Sequence, residues 1–301
     1  MSKIILGTWQ TVPSDGFWKD QNPTLSEKLL SFAIRHGFNC FDTAQGYGKG
    51  RAEQLLGKVL ARFPNNSFEV DSKLMPSSKD PLDLVSQSLS RLRIKKLNRL
   101  YLHWPKTGFD VEAFVSKMAF LKGSGLVKKI GICNTPLEYL KSLNVDIDCL
   151  QIPVSLLWTR DLKETIAYCK AREIEVVAYS PLGMGLLSGK YTSKDDLKDA
   201  RSSLFCFQEP CYQPFLNLLE TLKEVASSKG VSPATVALAW VASSGVDYII
   251  LGVRSEEQLL NNVEALKFPL ESGELEALNK AASLLDKESL KICNNIFSYN
   301  W

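Results

Sequence analysis

The chain has 301 residues, 45% of them hydrophobic and 23% charged, with a formal net charge of +3. That is ordinary globular usage with enough apolar material for a large buried core, so intrinsic disorder is excluded for most of its length. So weak a charge balance gives no argument for nucleic acid or a membrane surface as partner, and no apolar run approaches the ~20 residues that a membrane span needs.

From the start, short apolar, β-branched runs alternate with longer segments of helical periodicity. Ile4 to Gly7 is the first run, followed by a helix from Leu25 to His36. Asn39 to Asp42 precedes a helix from Arg51 to about Arg62, and Phe68 to Lys73 one from Pro81 to about Arg93. Pro81 suits a first helical turn, with Asp80 as its cap. Leu100 to His103 pairs with Val111 to about Lys122, Lys129 to Cys133 with Pro136 to Leu143, and Cys149 to Ile152 with Asp161 to Arg172. Glu175 to Tyr179 is the seventh strand, and its helix is placed at about Pro214 to Lys229. Tyr248 to Leu251 and a helix from Ser255 to Leu266 complete the series.

Strict alternation implies a parallel sheet with crossover helices, and eight units in this length argue for a closed (β/α)8 TIM barrel over an open sheet. No GxGxxG follows the first strand and no Walker-type phosphate loop occurs, so the open dinucleotide fold lacks its main signature. The expected organisation is a single α/β domain over residues 1–301, with the barrel at about 3–266 and a C-terminal segment at about 267–301. Two stretches fall outside the pattern. Leu182 to Gln213 is a long connection after strand seven, of a length that is usually functional or mobile. The aromatic tail ending Ile296-Phe297-Ser298-Tyr299-Asn300-Trp301 is expected over the barrel mouth, or packed simply for stability.

Seven scattered cysteines without a CxxC pair fit reduced thiols in a cytoplasmic protein. The N-terminus lacks the long apolar core and cleavage site of a secretory signal. Only His36 and His103 are available as histidine ligands, so no metal site is expected.

In a barrel, function lives at the C-terminal ends of the strands. Those positions carry a polar set: Asp42 and then Tyr47, Lys73, His103, Asn134, Gln151, and Tyr179-Ser180. Each alone has a bland explanation as a cap, a solvated charge or a structural histidine. Their joint occurrence at successive strand ends is harder to dismiss. Carbonyl reduction needs a hydride donor and a proton donor. A phenol with a pKa near ~10 is a poor acid at neutral pH. An ammonium beside it lowers that pKa, and a carboxylate fixes the ammonium. Tyr47, Lys73 and Asp42 are the right types, and His103 can hydrogen-bond and orient a substrate carbonyl.

The stretches Phe41-Asp42-Thr43-Ala44-Gln45-Gly46-Tyr47-Gly48, Gly50-Arg51-Ala52-Glu53, Ser72-Lys73-Leu74, Leu100 to Pro105, Lys129 to Asn134, Ala178 to Gly183 and Leu251 to Arg254, with Gln258 and Asn262, resemble the aldo-keto reductase superfamily in order and spacing. The resemblance runs from Gly7-Thr8-Trp9 to about Leu266. It implies an NADPH-dependent barrel enzyme that reduces aldehydes or ketones, with NADH as the other nicotinamide donor. It carries catalytic roles onto Asp42, Tyr47, Lys73 and His103, with Tyr47 as general acid. It places Asn134 and Gln151 on the nicotinamide carboxamide and Tyr179 against the ring. Thr8 and Trp9 would line the site, and Trp9, Tyr47, His103 and Trp104 the substrate pocket. Ser180, Pro181, Leu182, Gly183, Gly185, Leu186, Lys190 and Arg201 would approach the phosphates. Gly252, Arg254, Gln258, Asn261 and Asn262 would bind the adenosine end, with Arg254 facing a 2′-phosphate.

The sequence departs from the family pattern in places. Cys133 stands where many members have Ser, and Asn261 where many have Glu, so a strict choice of NADPH over NADH does not follow. The aromatics Trp9, Phe17, Trp18, Trp104 and Trp158 fit a pocket for medium-sized or aromatic aldehydes, with Trp158 equally readable as core. The stretch from Tyr191 to Gln208 resembles the branch with small-sugar, methylglyoxal and pyridoxal reductases. The other function class open to the chain is a cofactor-binding regulatory module resembling potassium-channel beta subunits. The complete Asp-Tyr-Lys-His set argues against a purely binding role.

Overall fold

The computed structural model describes residues 3–293 other than 15 and 107, together with 295 and 296. Eight parallel strands close into a barrel in sequence order. They are β1 (Lys3–Gly7), β2 (Cys40–Asp42), β3 (Glu69–Leu74), β4 (Leu97–Leu102), β5 (Val127–Cys133), β6 (Cys149–Pro153), β7 (Glu175–Tyr179) and β8 (Tyr248–Leu251). Closure runs from Lys3 opposite Tyr248 to Leu6 opposite Leu251. All eight predicted strands are present. β4 begins at Leu97 rather than Leu100, because Asn98 and Arg99 are buried despite their polarity. Both donate to the Asp71 carboxylate, which hides a strand start from a reading based on apolar runs.

The helices are α1 (Pro23–Arg35), α2 (Arg51–Leu60), α3 (Pro81–Leu92), α4 (Val111–Gly123), α5 (Leu137–Ser142), α6 (Leu162–Lys170), α7 (Tyr212–Ser228), α8 (Pro233–Ser243), α9 (Glu256–Ala265) and α10 (Ser272–Ser289). Asp80 caps α3 through a 2.8 Å bond from the Leu82 amide, as its position before Pro81 predicts. Two helices differ from expectation. Between β7 and β8 there are two, α7 and then α8, where one was predicted. α8 buries Val236, Ala237, Leu238, Ala239, Trp240 and Val241 in succession. A helix that is apolar on every side has no amphipathic period to read. α10 fills the C-terminal segment, which the sequence reading leaves without an element. It packs Leu278, Ala281, Ala282 and Leu285 into the core cluster that also holds Phe215 and Leu218 of α7.

Apolar clusters between strands and helices form the outer core. Inside the barrel, Ile5, Tyr101, Cys133, Cys149, Val177, Tyr248 and Ile250 fill the lumen. Packing there is tight enough that a Cβ on Gly131 would lie 2.3 Å from the Cys149 carbonyl oxygen. Ion pairs from Asp71 to Arg99 (3.1 Å), Arg99 to Glu175 (3.1 Å) and Glu175 to Lys129 (2.6 Å) add a polar network below. The opposite end carries the loops. The connection after β7 is not free coil: it folds into four short 3-10 turns, anchored by buried Leu186, Leu187, Leu204, Phe205 and Cys206. Ala200 N of this connection donates to Gly16 O of the β1–α1 connection at 3.3 Å.

All seven cysteines are free thiols. Among the described residues no helix is long and apolar enough to cross a membrane. Among them, too, no cluster of three or more His, Cys, Asp or Glu is placed to hold a metal ion. Phe297, Tyr299 and Trp301, and with them the expected cover over the barrel mouth, lie outside the described residues.

Candidate active site

At the C-terminal end of the barrel, Lys73 of β3 is fully buried. Its Nζ donates to Asp42 Oδ1 at 2.5 Å, to the Thr43 carbonyl at 2.8 Å and to the Tyr47 hydroxyl oxygen at 3.3 Å. Asp42 closes β2, and its second oxygen accepts from Gln151 Nε2 of β6 at 3.0 Å. Tyr47 comes from the turn Tyr47–Gly50 rather than from a strand. Gly48 in that turn has φ +54°, and a Cβ there would sit 2.7 Å from a Val12 methyl. Only glycine suits both requirements. Arg51 fastens the turn by donating to the carbonyls of Gly48 and Pro13 at 2.8 and 2.9 Å. Behind it, buried Glu53 of α2 accepts from Ser72 Oγ at 2.7 Å and from Arg91 at 3.1 Å. This pins α2 and α3 beside the strand that carries Lys73.

The electrostatics follow from burial. Burial pulls Lys73 down, but its pairing with the Asp42 carboxylate outweighs that, so its ammonium is held above the ordinary lysine range. Burial pushes the Tyr47 phenol up to about 12, with Lys73 pulling the other way. The expectation that an adjacent lysine leaves the phenol more acid than usual is therefore reversed: desolvation outweighs the ammonium. The phenol accepts from Lys73, so its own proton remains available to donate. Burial, and then the Lys73 charge, hold His103 well below the usual histidine range, so its ring is neutral near pH 7. Among the described residues, its Nδ1 is buried without a hydrogen-bond partner.

Aromatic rings continue from this group in both directions. The His103 ring lies edge-on to Tyr47 at 5.7 Å and the Trp104 ring 6.0 Å beyond it. On the other side Trp9 stands 6.2 Å from Tyr47, and Phe17 and Trp18 pack on Trp9 at 4.9 and 5.4 Å. Trp158 is buried against Phe205 and so belongs to the core.

A groove of ≈ 420 Å³ starts at Asp42 and Tyr47 and runs between the connections after β1, β7 and β8. Of the residues assigned to the cofactor, Thr8, Trp9, Asp42, Tyr179, Ser180, Pro181, Leu182, Gly185, Lys190, Arg201, Gly252, Arg254, Gln258, Asn261 and Asn262 line it. Four do not. Leu186 points into the core. Gly183 turns the chain under Leu157, which a Cβ would strike at 2.3 Å. Gln151 is buried behind Asp42. Asn134 faces a smaller cavity of ≈ 90 Å³ on the far side of Tyr179. Its side chain donates to the His103 carbonyl at 3.0 Å and accepts from the Tyr179 hydroxyl at 2.6 Å. Asn134 and Ser180, the residues after β5 and β7, both take left-handed backbone (φ +57° and +51°), an uncommon state for non-glycine residues.

Several lining residues were missed from sequence. Ser232, Ala234 and Thr235 enter from the N-terminal turn of α8, the helix that shows no period. Gln10 lines the groove too, with its amide donating to the carbonyls of Gly7 (2.9 Å) and Val253 (3.1 Å). The two arginines are already engaged. Arg201 is forked onto Asp199 and donates to the Met184 carbonyl at 3.1 Å. Arg254 donates to Asp20 and Gln21.

The sequence model of the Aldo/keto reductase family matches residues 3–283. The chain belongs to this family. A probable aldo-keto reductase 1 of Glycine max is 28% identical over 292 residues, 91% of this chain and 84% of that one. A chloroplastic pyridoxal reductase of Arabidopsis thaliana is 31% identical, covering 90% of this chain and 79% of its own. A protein named NADH-specific methylglyoxal reductase from Escherichia coli strain K12 is 26% identical over 95% and 96% of the two chains. Among solved structures, the glycerol dehydrogenase AKR11B4 from Gluconobacter oxydans superposes with a TM-score of 0.77 at 24% identity, over 93% of this chain and 91% of that one. The barrel is thus that of the aldo-keto reductases, and the protein is an oxidoreductase of that family.

Proposed function

We propose that this aldo-keto reductase uses NADPH to reduce an aldehyde or ketone to an alcohol, with Tyr47 as the general acid. The observation that carries this reading is the chain of contacts from buried Asp42 and Lys73 to half-buried Tyr47 at the inner end of the groove. The groove residues fit a nicotinamide dinucleotide. Lys190, Arg201 and the N-terminal turn of α8 would face its phosphates, since cations and the positive end of a helix dipole both favour anions. Tyr179 would lie against the nicotinamide, and Gln258, Asn261 and Asn262 at the adenosine end. Arg254 would meet a 2′-phosphate, which a guanidinium holds bidentately. The reduced nicotinamide, when bound, supplies the hydride.

The protein's own residues supply the rest. Tyr47 donates its proton to the carbonyl oxygen, and the Lys73 ammonium stabilises the phenolate left behind. Asp42 and Gln151 keep Lys73 charged and fixed. Neutral His103 hydrogen-bonds the carbonyl oxygen and orients it. Trp9 and Trp104 wall the pocket against water and favour an apolar or aromatic carbonyl compound. We read the chain as one domain, residues 1–301, that acts in the cytoplasm, where its free thiols stay reduced.

The test is the loss of reduced-nicotinamide absorbance when the protein meets an activated aromatic aldehyde, with NADPH and NADH in parallel. Turnover with NADPH is the expected result. Tight cofactor binding with no turnover on any carbonyl compound would contradict the reading and favour a cofactor-sensing module.

A further inference from the structure

We propose that Asp20, on the connection between β1 and α1, sets the preference between NADPH and NADH by competing with the 2′-phosphate for Arg254. The inference rests on the groove being a nicotinamide-dinucleotide site. Arg254 Nη2 donates to Asp20 Oδ2 at 2.8 Å, and Arg254 Nε donates to Gln21 Oε1 at 2.9 Å. The Nε–Nη2 edge of the guanidinium is thereby taken up by the protein itself. A 2′-phosphate held bidentately on that edge needs the same N–H groups, and one held on the Nη1–Nη2 end lies next to the Asp20 carboxylate. It must either displace the carboxylate or lie beside a like charge.

Asp20 and Gln21 are held where they are. The Gln21 amide N–H closes a turn onto the Trp18 carbonyl at 3.0 Å, and Trp18 enters that turn with φ +56°. Gln21 Nε2 donates to Ser26 Oγ at 2.9 Å, so its carbonyl oxygen is aimed at Arg254. The Ser26 hydroxyl in turn donates to the Thr11 carbonyl at 2.8 Å. Trp18 packs edge-on against Trp9 and lies under the Arg201 guanidinium, 5.1 Å from its ring centre. The same connection therefore touches the active-site aromatics and one cation of the groove, Arg201, and its turn ends on a second, Arg254.

An NADH molecule meets this arrangement differently. Its ribose carries a hydroxyl in place of the phosphate. A hydroxyl donates to a carboxylate, the same physics by which an acidic residue at the ribose favours NAD in open dinucleotide folds. The Asp20–Arg254 pair is exposed, with side chains 73% and 36% accessible. Water screens such a pair, so its effect on affinity is several-fold rather than hundreds-fold.

The test measures dissociation constants of NADP+ and NAD+ by quenching of tryptophan fluorescence and by calorimetry. The proteins are the wild type, Asp20→Asn, Arg254→Ala and the double variant. Asp20→Asn should tighten NADP+ by about three- to tenfold and leave NAD+ unchanged or weaker. In the Arg254→Ala background the gain should disappear, which a merely structural role for Asp20 does not predict. An unchanged ratio of the two constants in Asp20→Asn overturns the inference and leaves the dinucleotide reading standing. So does a gain that persists without Arg254. If the wild type binds neither cofactor, the dinucleotide reading fails, and the inference with it.

Discussion

Lys73 does three things with one ammonium: it neutralises Asp42, bonds the Thr43 carbonyl and touches the Tyr47 phenol. Its side chain is wholly buried and that of Asp42 is 3% accessible, so each charge depends on the other. Lys73→Met leaves the Asp42 carboxylate with Gln151 as its side-chain donor. Breaking a buried pair in this way costs about 3–5 kcal/mol. Urea unfolding of the variant should show a loss of that size; a loss below about 1 kcal/mol would mean that water reaches Asp42. The residue types at this site were legible because barrel geometry nominates strand ends, and Asp42, Lys73 and His103 stand at three of them. What sequence could not supply was how enclosed Tyr47 is. Counting neighbours in the chain finds the lysine that lowers a phenol's pKa but not the depth of burial that raises it to about 12. That value keeps the phenol protonated at neutral pH, the state a general acid needs. Asn134 follows β5 and Gln151 lies within β6, yet their side chains are engaged by His103, Tyr179 and Asp42. Those partners come from other strands and carry no local signal.

Among elements, the strands were the most legible, since short runs that are mostly apolar and buried stand out from their polar surroundings, β3 with Glu69, Asp71, Ser72 and Lys73 being the exception. α8 was not legible, and its loss hid Ser232 and Thr235 at the groove. α10 was passed over although Leu275, Leu278, Leu285 and the alanines between them keep a helical spacing. It matters to the site through Asp286, which accepts from the Thr159 amide at 3.1 Å and from the Thr159 hydroxyl. This bond ties α10 to the β6–α6 connection, whose Trp158 and Arg160 border the smaller cavity. Burial raises the Asp286 carboxyl from 3.8 to about 6. Between those values the folded protein holds a proton that the unfolded chain releases. The stability from this group is therefore present at low pH and is lost as pH rises toward 6. Asp286→Asn removes the titration. From pH 4.5 to pH 7 the wild type should lose about 2 kcal/mol relative to the variant in urea unfolding. Parallel stability curves for the two proteins would show that Asp286 titrates as an exposed carboxyl does.

At the scale of the molecule, the barrel separates stability from chemistry. The Asp71–Arg99–Glu175–Lys129 network lies toward one end of the lumen, and the Asp42–Lys73–Tyr47 group stands at the other. Above the second end, the connections after β1, β7 and β8 meet one another. Gly16 is bonded to Ala200, Trp18 lies under Arg201, and Asp20 reaches Arg254. Sequence marked the connection after β7 as functional or mobile from its length. It gave no sign that the connection after β1 would join it, because the contacts link residues 180 or more apart in the chain. The proposed function puts a phenol that delivers the proton at the inner end of a dinucleotide groove. A comparison of wild type and Tyr47→Phe for NADPH affinity and for the single-turnover rate with an activated aromatic aldehyde tests it. The variant should bind NADPH within about twofold of wild type and lose about two to four orders of magnitude in rate. A variant that keeps most of the rate would contradict it and move the acid role away from Tyr47.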